Sequence, residues 1–195
     1  AYGLKARQRF DLFKSTQPLE HRPLIVFVHG GAWMHGDKKD YHFIGEAFAR
    51  EGYDVVVMNY HLAPKHIFPK SVDDLHLLLN YLHQANDKFN ISTENIVLMG
   101  HSAGAFNVMS ALYYPGTISV ECLSSIRAII GLAGPYHFDY KDDPLCADAF
   151  DQSVPYQQVM PFYFVEPCPV KHYLLVAEKD DIVGHFNSHD LGQML

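Results

Sequence analysis

Short runs of apolar, β-branched residues recur along the chain at Leu24–Val28, Val55–Met58, Ile96–Met99, Ile126–Ile130 and Tyr173–Val176. Each is nearly continuous in apolar character and is closed within two residues by Gly, Asn or a charged residue. Strands covered on both faces of a parallel sheet read this way. Helical spacing fills the gaps between them. Val72, Leu75, Leu79 and Leu82 predict an amphipathic helix, with Ser71 as its N-cap and Asp74 as the capping-box partner. Ile44, Ala47 and Phe48 mark another helix, Ala105–Tyr113 a third that stops at Pro115-Gly116, and His185–Leu195 a fourth. Strands alternating with helices predict an α/β architecture in a single domain spanning residues 1–195.

Residues 135–169 break this rhythm with repeated prolines and the aromatics Tyr136, Phe138, Tyr140, Phe150, Tyr156, Phe162, Tyr163 and Phe164. An irregular excursion of that length reads as a pocket wall or small lid, with a helical crossover as the alternative. Composition narrows the function classes. A formal charge of −7 without a long Lys/Arg cluster argues against a nucleic-acid partner. No apolar run reaches the ~20 residues of a membrane span. Three cysteines (Cys122, Cys146, Cys168) without a C-x-x-C pair speak against a disulfide framework and lean toward a reducing, cytoplasmic setting. The thirteen histidines show no metal-binding spacing, so no metal and no cofactor is expected.

Two motifs carry chemistry. Gly100-His101-Ser102-Ala103-Gly104 joins the Ile96–Met99 strand directly to the Ala105 helix, the strand-turn-helix context in which G-x-S-x-G presents a serine hydroxyl above a sheet. The helix N-terminus behind it offers N–H groups to a developing oxyanion. His29-Gly30-Gly31-Ala32-Trp33 closes the Leu24–Val28 strand, and its glycines permit a backbone path that points further amides into a cavity. Trp33, Tyr136 and His137 are candidates for lining that cavity.

With these motifs the chain resembles the α/β-hydrolase fold, and within it the HGG-type carboxylesterases related to hormone-sensitive lipase. Asn59-Tyr60-His61-Leu62-Ala63-Pro64-Lys65-His66-Ile67-Phe68-Pro69 is similar to a signature segment of that family, and the likeness extends over nearly the whole chain. The HGG-x-W variant also resembles bacterial feruloyl-esterase-like enzymes and kynurenine formamidases. The resemblance implies a mostly parallel sheet with helices on both faces. It makes Ser102 the nucleophile and the backbone amides of Gly31, Ala32 and Ala103 an oxyanion hole, Ala32 standing where a third glycine is commoner.

The resemblance also implies a carboxylate after a late strand, here Lys171–Glu178, and so puts the acid at Asp180, with Asp181 and Asp139 as alternatives. Chain order in this fold is serine, acid, histidine. Only His185 and His189 follow Asp180, and neither is followed by a further strand run. The expectation is therefore a chain lacking the C-terminal strand and helix of the fold, with the triad histidine beyond Leu195 and His185 a weaker candidate. The function expected is serine esterase action on small carboxylic esters, without cofactor. The alternatives are an arylformamidase or amidase using the same residues, and a non-catalytic hydrolase-fold binding protein. His29 and His101 are expected to be structural, as are His76 and His83.

Overall fold

The computed structural model describes residues 1–116 and 118–195. Six strands form one sheet: β1 (Phe10–Phe13), β2 (Leu24–Val28), β3 (Asp54–Met58), β4 (Ile96–His101), β5 (Ile126–Leu132) and β6 (Lys171–Leu175). Their spatial order is β1-β3-β2-β4-β5-β6, with β1 antiparallel and every other pairing parallel. The helices are α1 (His42–Arg50), α2 (Lys70–Gln84), the single turn α3 (Asn86–Phe89), α4 (Ala103–Tyr113) and α5 (Phe186–Met194).

All five residues of β2 are buried, and alternation sends them to opposite sides. Leu24, Val26 and Val28 join a core with Val72, Leu75, Leu79 and Leu82 of α2 and Val108 of α4, and Leu191 of α5 enters the same core. Ile25 and Phe27 join Val55, Val57 and Met99 beneath Ile44 and Phe48 of α1. Continuous apolar runs were the signal for such strands, and coverage on both faces is why they are apolar at every position. A third cluster of Trp33, Phe106, Tyr140, Phe150 and Met160 sits over the carboxyl ends of the strands.

Residues 135–169 form this wall from irregular chain and three short 3-10 turns at Ala147–Ala149, Tyr156–Gln158 and Pro161–Tyr163, and contain no crossover helix. At β6 the strand ends at Leu175, short of the Glu178 expected. The cap assigned to α2 is also different. The N-cap is Pro69 and makes no side-chain bond. Ser71 is turned inward and donates to Asn107 Oδ1 at 3.0 Å. Asp74 is fully buried and accepts from the backbone N–H of His61 (2.7 Å), from His61 Nδ1 (2.6 Å) and from Gln8 Nε2 (3.1 Å). Its tertiary partners outcompete a local cap, because a buried carboxylate demands several donors at once.

Asp74→Ala would orphan three buried donors around this carboxylate and is expected to cost about 3 kcal/mol. A drop in the urea midpoint at unchanged denaturant slope would show it.

Candidate active site

Register sets the site. Val28 at the end of β2 lies level with Gly100 in β4, so the segments leaving both strands start side by side. The approach is close enough to dictate residue type. A methyl group on Gly104 would fall 2.0 Å from the Val28 carbonyl oxygen, and one on Gly100 would fall 2.2 Å from the Gly104 carbonyl oxygen. One on Gly30 would meet His101 Nδ1 and the His101 carbonyl oxygen at 2.9 Å and Ser102 Cβ at 3.2 Å. The His-Gly-Gly segment therefore abuts the serine turn directly.

Ser102 has φ 52° and ψ −120°, a conformation that residues bearing a Cβ rarely adopt. It persists because its N–H is held by the Leu132 carbonyl at 2.8 Å, while its own carbonyl accepts from Ala105 and Phe106 at the start of α4. In the facing loop Gly31, Ala32 and Trp33 are all left-handed, with φ of 122°, 50° and 59°. Glycine suits the first, whereas Ala32 and Trp33 carry strain of roughly 1–3 kcal/mol each that the surroundings must offset. Among the described residues, nothing accepts from the backbone N–H groups of Gly31, Ala32, Ala103 or Gly104.

Ser102 opens into a cleft of about 170 Å³. Ala32, Trp33, Phe138, Leu145, Ile182 and Phe186 give it apolar walls, and Asp143 and Asn187 are its polar members. Of the three pocket candidates only Trp33 lines it. Tyr136 is fully buried, its hydroxyl packed against Gly131 and Gly134 without a hydrogen-bond partner among the described residues, so burial pushes its phenol pKa up. His137 points away, stacked on Phe162 at 4.2 Å with Nε2 3.0 Å from the Tyr163 hydroxyl. Both lie on the excursion but on its outer or inner side, which composition could not distinguish. Ile182, Phe186 and Asn187 escaped sequence reasoning because they follow the candidate acid, Ile182 on an irregular loop and Phe186 and Asn187 in the first turn of α5. Asn187 is tied in by accepting the His137 N–H at 2.7 Å.

Asp180 turns back on its own loop, where Oδ1 accepts from Val183 N (2.8 Å) and Ile182 N (3.0 Å). These two N–H groups hold its carboxyl below the ordinary carboxylate range, with smaller help from His185 and His101. The alternatives lie elsewhere. Asp139 accepts from Lys141 N within its own turn, and Asp181 is exposed. His185 Nε2 bonds the Ala177 carbonyl at 2.7 Å, and His189 bonds Gln193 at 3.0 Å. Neither imidazole hydrogen-bonds Asp180 or Ser102.

His101 Nδ1 is 2.7 Å from the Tyr41 hydroxyl, and burial lowers its pKa against the opposing charge of Asp180. His29 is fully buried and stacked on Tyr60 at 4.3 Å. Its Nδ1–H donates to the Gly30 carbonyl at 2.7 Å, which leaves Nε2 to accept from Arg7 at 3.3 Å. That is a neutral imidazole, and burial lowers its pKa from 6.5 to about 4. His76 Nε2 donates to the Ala111 carbonyl at 2.8 Å and His83 meets Thr93 at 3.0 Å, both tying α2 to its neighbours. Cys146 borders the cleft, but burial and Asp143 push its thiol up to about 12, which removes it as a nucleophile near neutral pH. No group of three or more metal-ligating side chains occurs among the described residues.

Against this geometry the comparisons are decisive on family. The BD-FAE family model matches residues 10–195, nearly the whole chain. The chain belongs to the BD-FAE family. Among similar proteins, a kynurenine formamidase of Drosophila melanogaster is 33% identical over 135 residues, covering 69% of this chain and 44% of its own. An isoprenylcysteine alpha-carbonyl methylesterase of Arabidopsis thaliana is 30% identical over 142 residues, covering 70% and 33%. Esterase LipC of Mycobacterium tuberculosis is 26% identical over 153 residues, covering 73% and 38%. This BD-FAE chain thus spans less than half the length of these curated relatives. A thermophilic esterase from Thermogutta terrifontis superposes with a TM-score of 0.76 over 95% of this chain and 72% of its own, at 16% identity. A truncated carbohydrate esterase from gut microbiota superposes with 0.77 over 95% and 76%, at 18% identity. The fold is that of the α/β-hydrolases, and the family is one of esterase-type hydrolases. No helix among the described residues is long and apolar enough to cross a membrane.

Two outcomes follow for this BD-FAE chain. Because native His29 resists protonation, its contribution is complete above pH 6.5 and is lost as pH falls toward about 4, a change on the order of 3 kcal/mol. Urea unfolding across that range should show a steeper acid loss for the native protein than for His29→Gln. Tyr136→Phe removes an unpartnered buried hydroxyl and is expected to raise stability by about 1 kcal/mol in a thermal melt.

Proposed function

We propose that the protein is a serine hydrolase that cleaves small carboxylic esters through an acyl-enzyme on Ser102. The observation that carries this reading is the contact of the Gly30 segment with a left-handed Ser102, which opens into an apolar cleft. Ser102 Oγ attacks the ester carbonyl carbon while its proton passes to a base. The backbone N–H groups of Gly31, Ala32 and Ala103 receive the negative charge that develops on the carbonyl oxygen. The base then hands its proton to the departing alcohol oxygen, and water attacks the acyl-enzyme by the same steps in reverse. Asp180, held ionised by the Val183 and Ile182 amides, orients the base and stabilises its cation.

The base in this reading is a histidine beyond Leu195, carried on a strand added to the edge of β6. Tyr173, Leu175 and Val176 are exposed there, and the curated relatives are more than twice as long as the matched segment. Trp33, Phe138 and Phe186 favour a compact, flat aryl or short acyl group. A second reading, hydrolysis of N-formyl aromatic amides, uses every one of these residues and is favoured by the 33% identity to a kynurenine formamidase.

A fluorophosphonate probe tests the nucleophile. In a chain extended through the next strand and histidine, labelling should map to Ser102 and vanish in Ser102→Ala, and that substitution should lower hydrolysis of aryl acetates by a factor on the order of 10⁴ or more. Labelling at another residue, or none in a chain extended through the next strand and histidine, overturns the catalytic reading in favour of a binding protein. Residues 1–195 alone should turn over little, and brisk hydrolysis by them would make His185 the base. Parallel rates on aryl esters and N-formyl anilides separate the two substrate classes.

A further inference from the structure

Asn107 is a fully buried amide in the first turns of α4, surrounded by Ala105, Phe106, Val108 and Met109. A polar group there is costly unless it holds something. Its Oδ1 accepts two bonds, from Trp33 Nε1 at 3.1 Å and from Ser71 Oγ of α2 at 3.0 Å. Its Nδ2 has no partner among the described residues, so those two donors alone fix the amide's orientation. The Trp33 ring also stands edge-on to Phe106 of the same helix, with centroids 5.0 Å apart.

Trp33 is the last of three consecutive left-handed residues, Gly31 to Trp33, whose amides flank the serine turn. The backbone of this loop is anchored by its own turn, Met34 and His35 N–H to the Gly31 carbonyl, and by Ala63 N–H to the Trp33 carbonyl. The Trp33 ring supplies the side-chain anchor, and it is fastened to the helix that begins at Ser102.

We propose that Asn107 is a positioning residue. By accepting from the Trp33 indole it locks the loop bearing the Gly31 and Ala32 amides to the helix bearing Ser102, and Ser71 holds the amide in register. Donor and nucleophile thereby share one rigid body, and the spacing between them is set by a side-chain bond rather than by the strained loop alone. The kinetic consequence rests on the serine-hydrolase reading above, whereas the bond itself does not.

Trp33 is the only tryptophan in the chain, so intrinsic fluorescence reports on this bond directly. Asn107→Leu keeps the volume and removes the acceptor, and Asn107→Asp restores an acceptor for both donors. Asn107→Leu is expected to shift Trp33 emission, raise its quenching by acrylamide and lower the thermal midpoint, because the Trp33 and Ser71 donors lose their acceptor. In the chain extended through the next strand and histidine, fluorophosphonate labelling of Ser102 should slow about tenfold, with the loss in the bound-state rate rather than in probe affinity. Asn107→Asp should return quenching and labelling toward native values, and Ser71→Ala should give intermediate quenching.

Native quenching in Asn107→Leu overturns the proposal, as does altered quenching with an unchanged labelling rate. A labelling rate that stays slow in Asn107→Asp although native quenching returns marks a merely structural amide and overturns it too. If the chain extended through the next strand and histidine does not label at all, the serine-hydrolase reading fails, and the fluorescence comparison still decides whether Asn107 holds the loop.

Discussion

The arrangement depends on how closely three stretches of backbone approach one another at the carboxyl ends of β2 and β4. Gly30, Gly100 and Gly104 each occupy a place where a single methyl group would meet backbone or imidazole atoms at 2.0–2.9 Å. That proximity lets the first turn of α4 sit against the end of β2 and brings a loop from one strand against a turn from the next. Dense packing transmits such a constraint without slack. The left-handed backbone at Ala32, Trp33 and Ser102 is the conformational cost of the approach, and the buried aromatic cluster and the tether through Asn107 offset it.

The fold was legible because apolar burial, which contributes most to it, leaves its mark on residue type. Strands covered on both faces must be apolar at each position, so β2, β3 and β4 announced themselves as unbroken runs, and the α2 stripe fell where a core-facing helix places it. The serine turn and the His-Gly-Gly segment were readable for a related reason: glycine is demanded by sterics, and steric demands leave a local signature.

What stayed hidden involves choices among neighbours that composition does not encode. Ser71 and Asp74 satisfy a capping pattern by spacing, yet both turn inward because buried donors and acceptors from other elements need them there. Tyr136 and His137 belong to the aromatic wall, but which side of an irregular chain meets a cleft is decided by turns such as Ala147–Ala149, not by residue type. Asn187 reaches the cleft only because the loop after Asp180 doubles back, and its role appears once the partner N–H of His137 is known. Asn107 carried no signal in the sequence, and its meaning required its burial and the position of one indole.

The outer strand β6 carries a different consequence. Its residues alternate between exposed and half-covered, and Tyr173 and Leu175 are each half exposed, with Val176 nearly so just past its end. A parallel sheet presenting an apolar, unpaired rim is a template for adding another extended segment, whether from the same polypeptide or from a stranger. The colloidal behaviour of this protein is thus tied to what lies against that rim. Whatever closes it guards against fibrillar self-association, and a rim left open invites sticky oligomers.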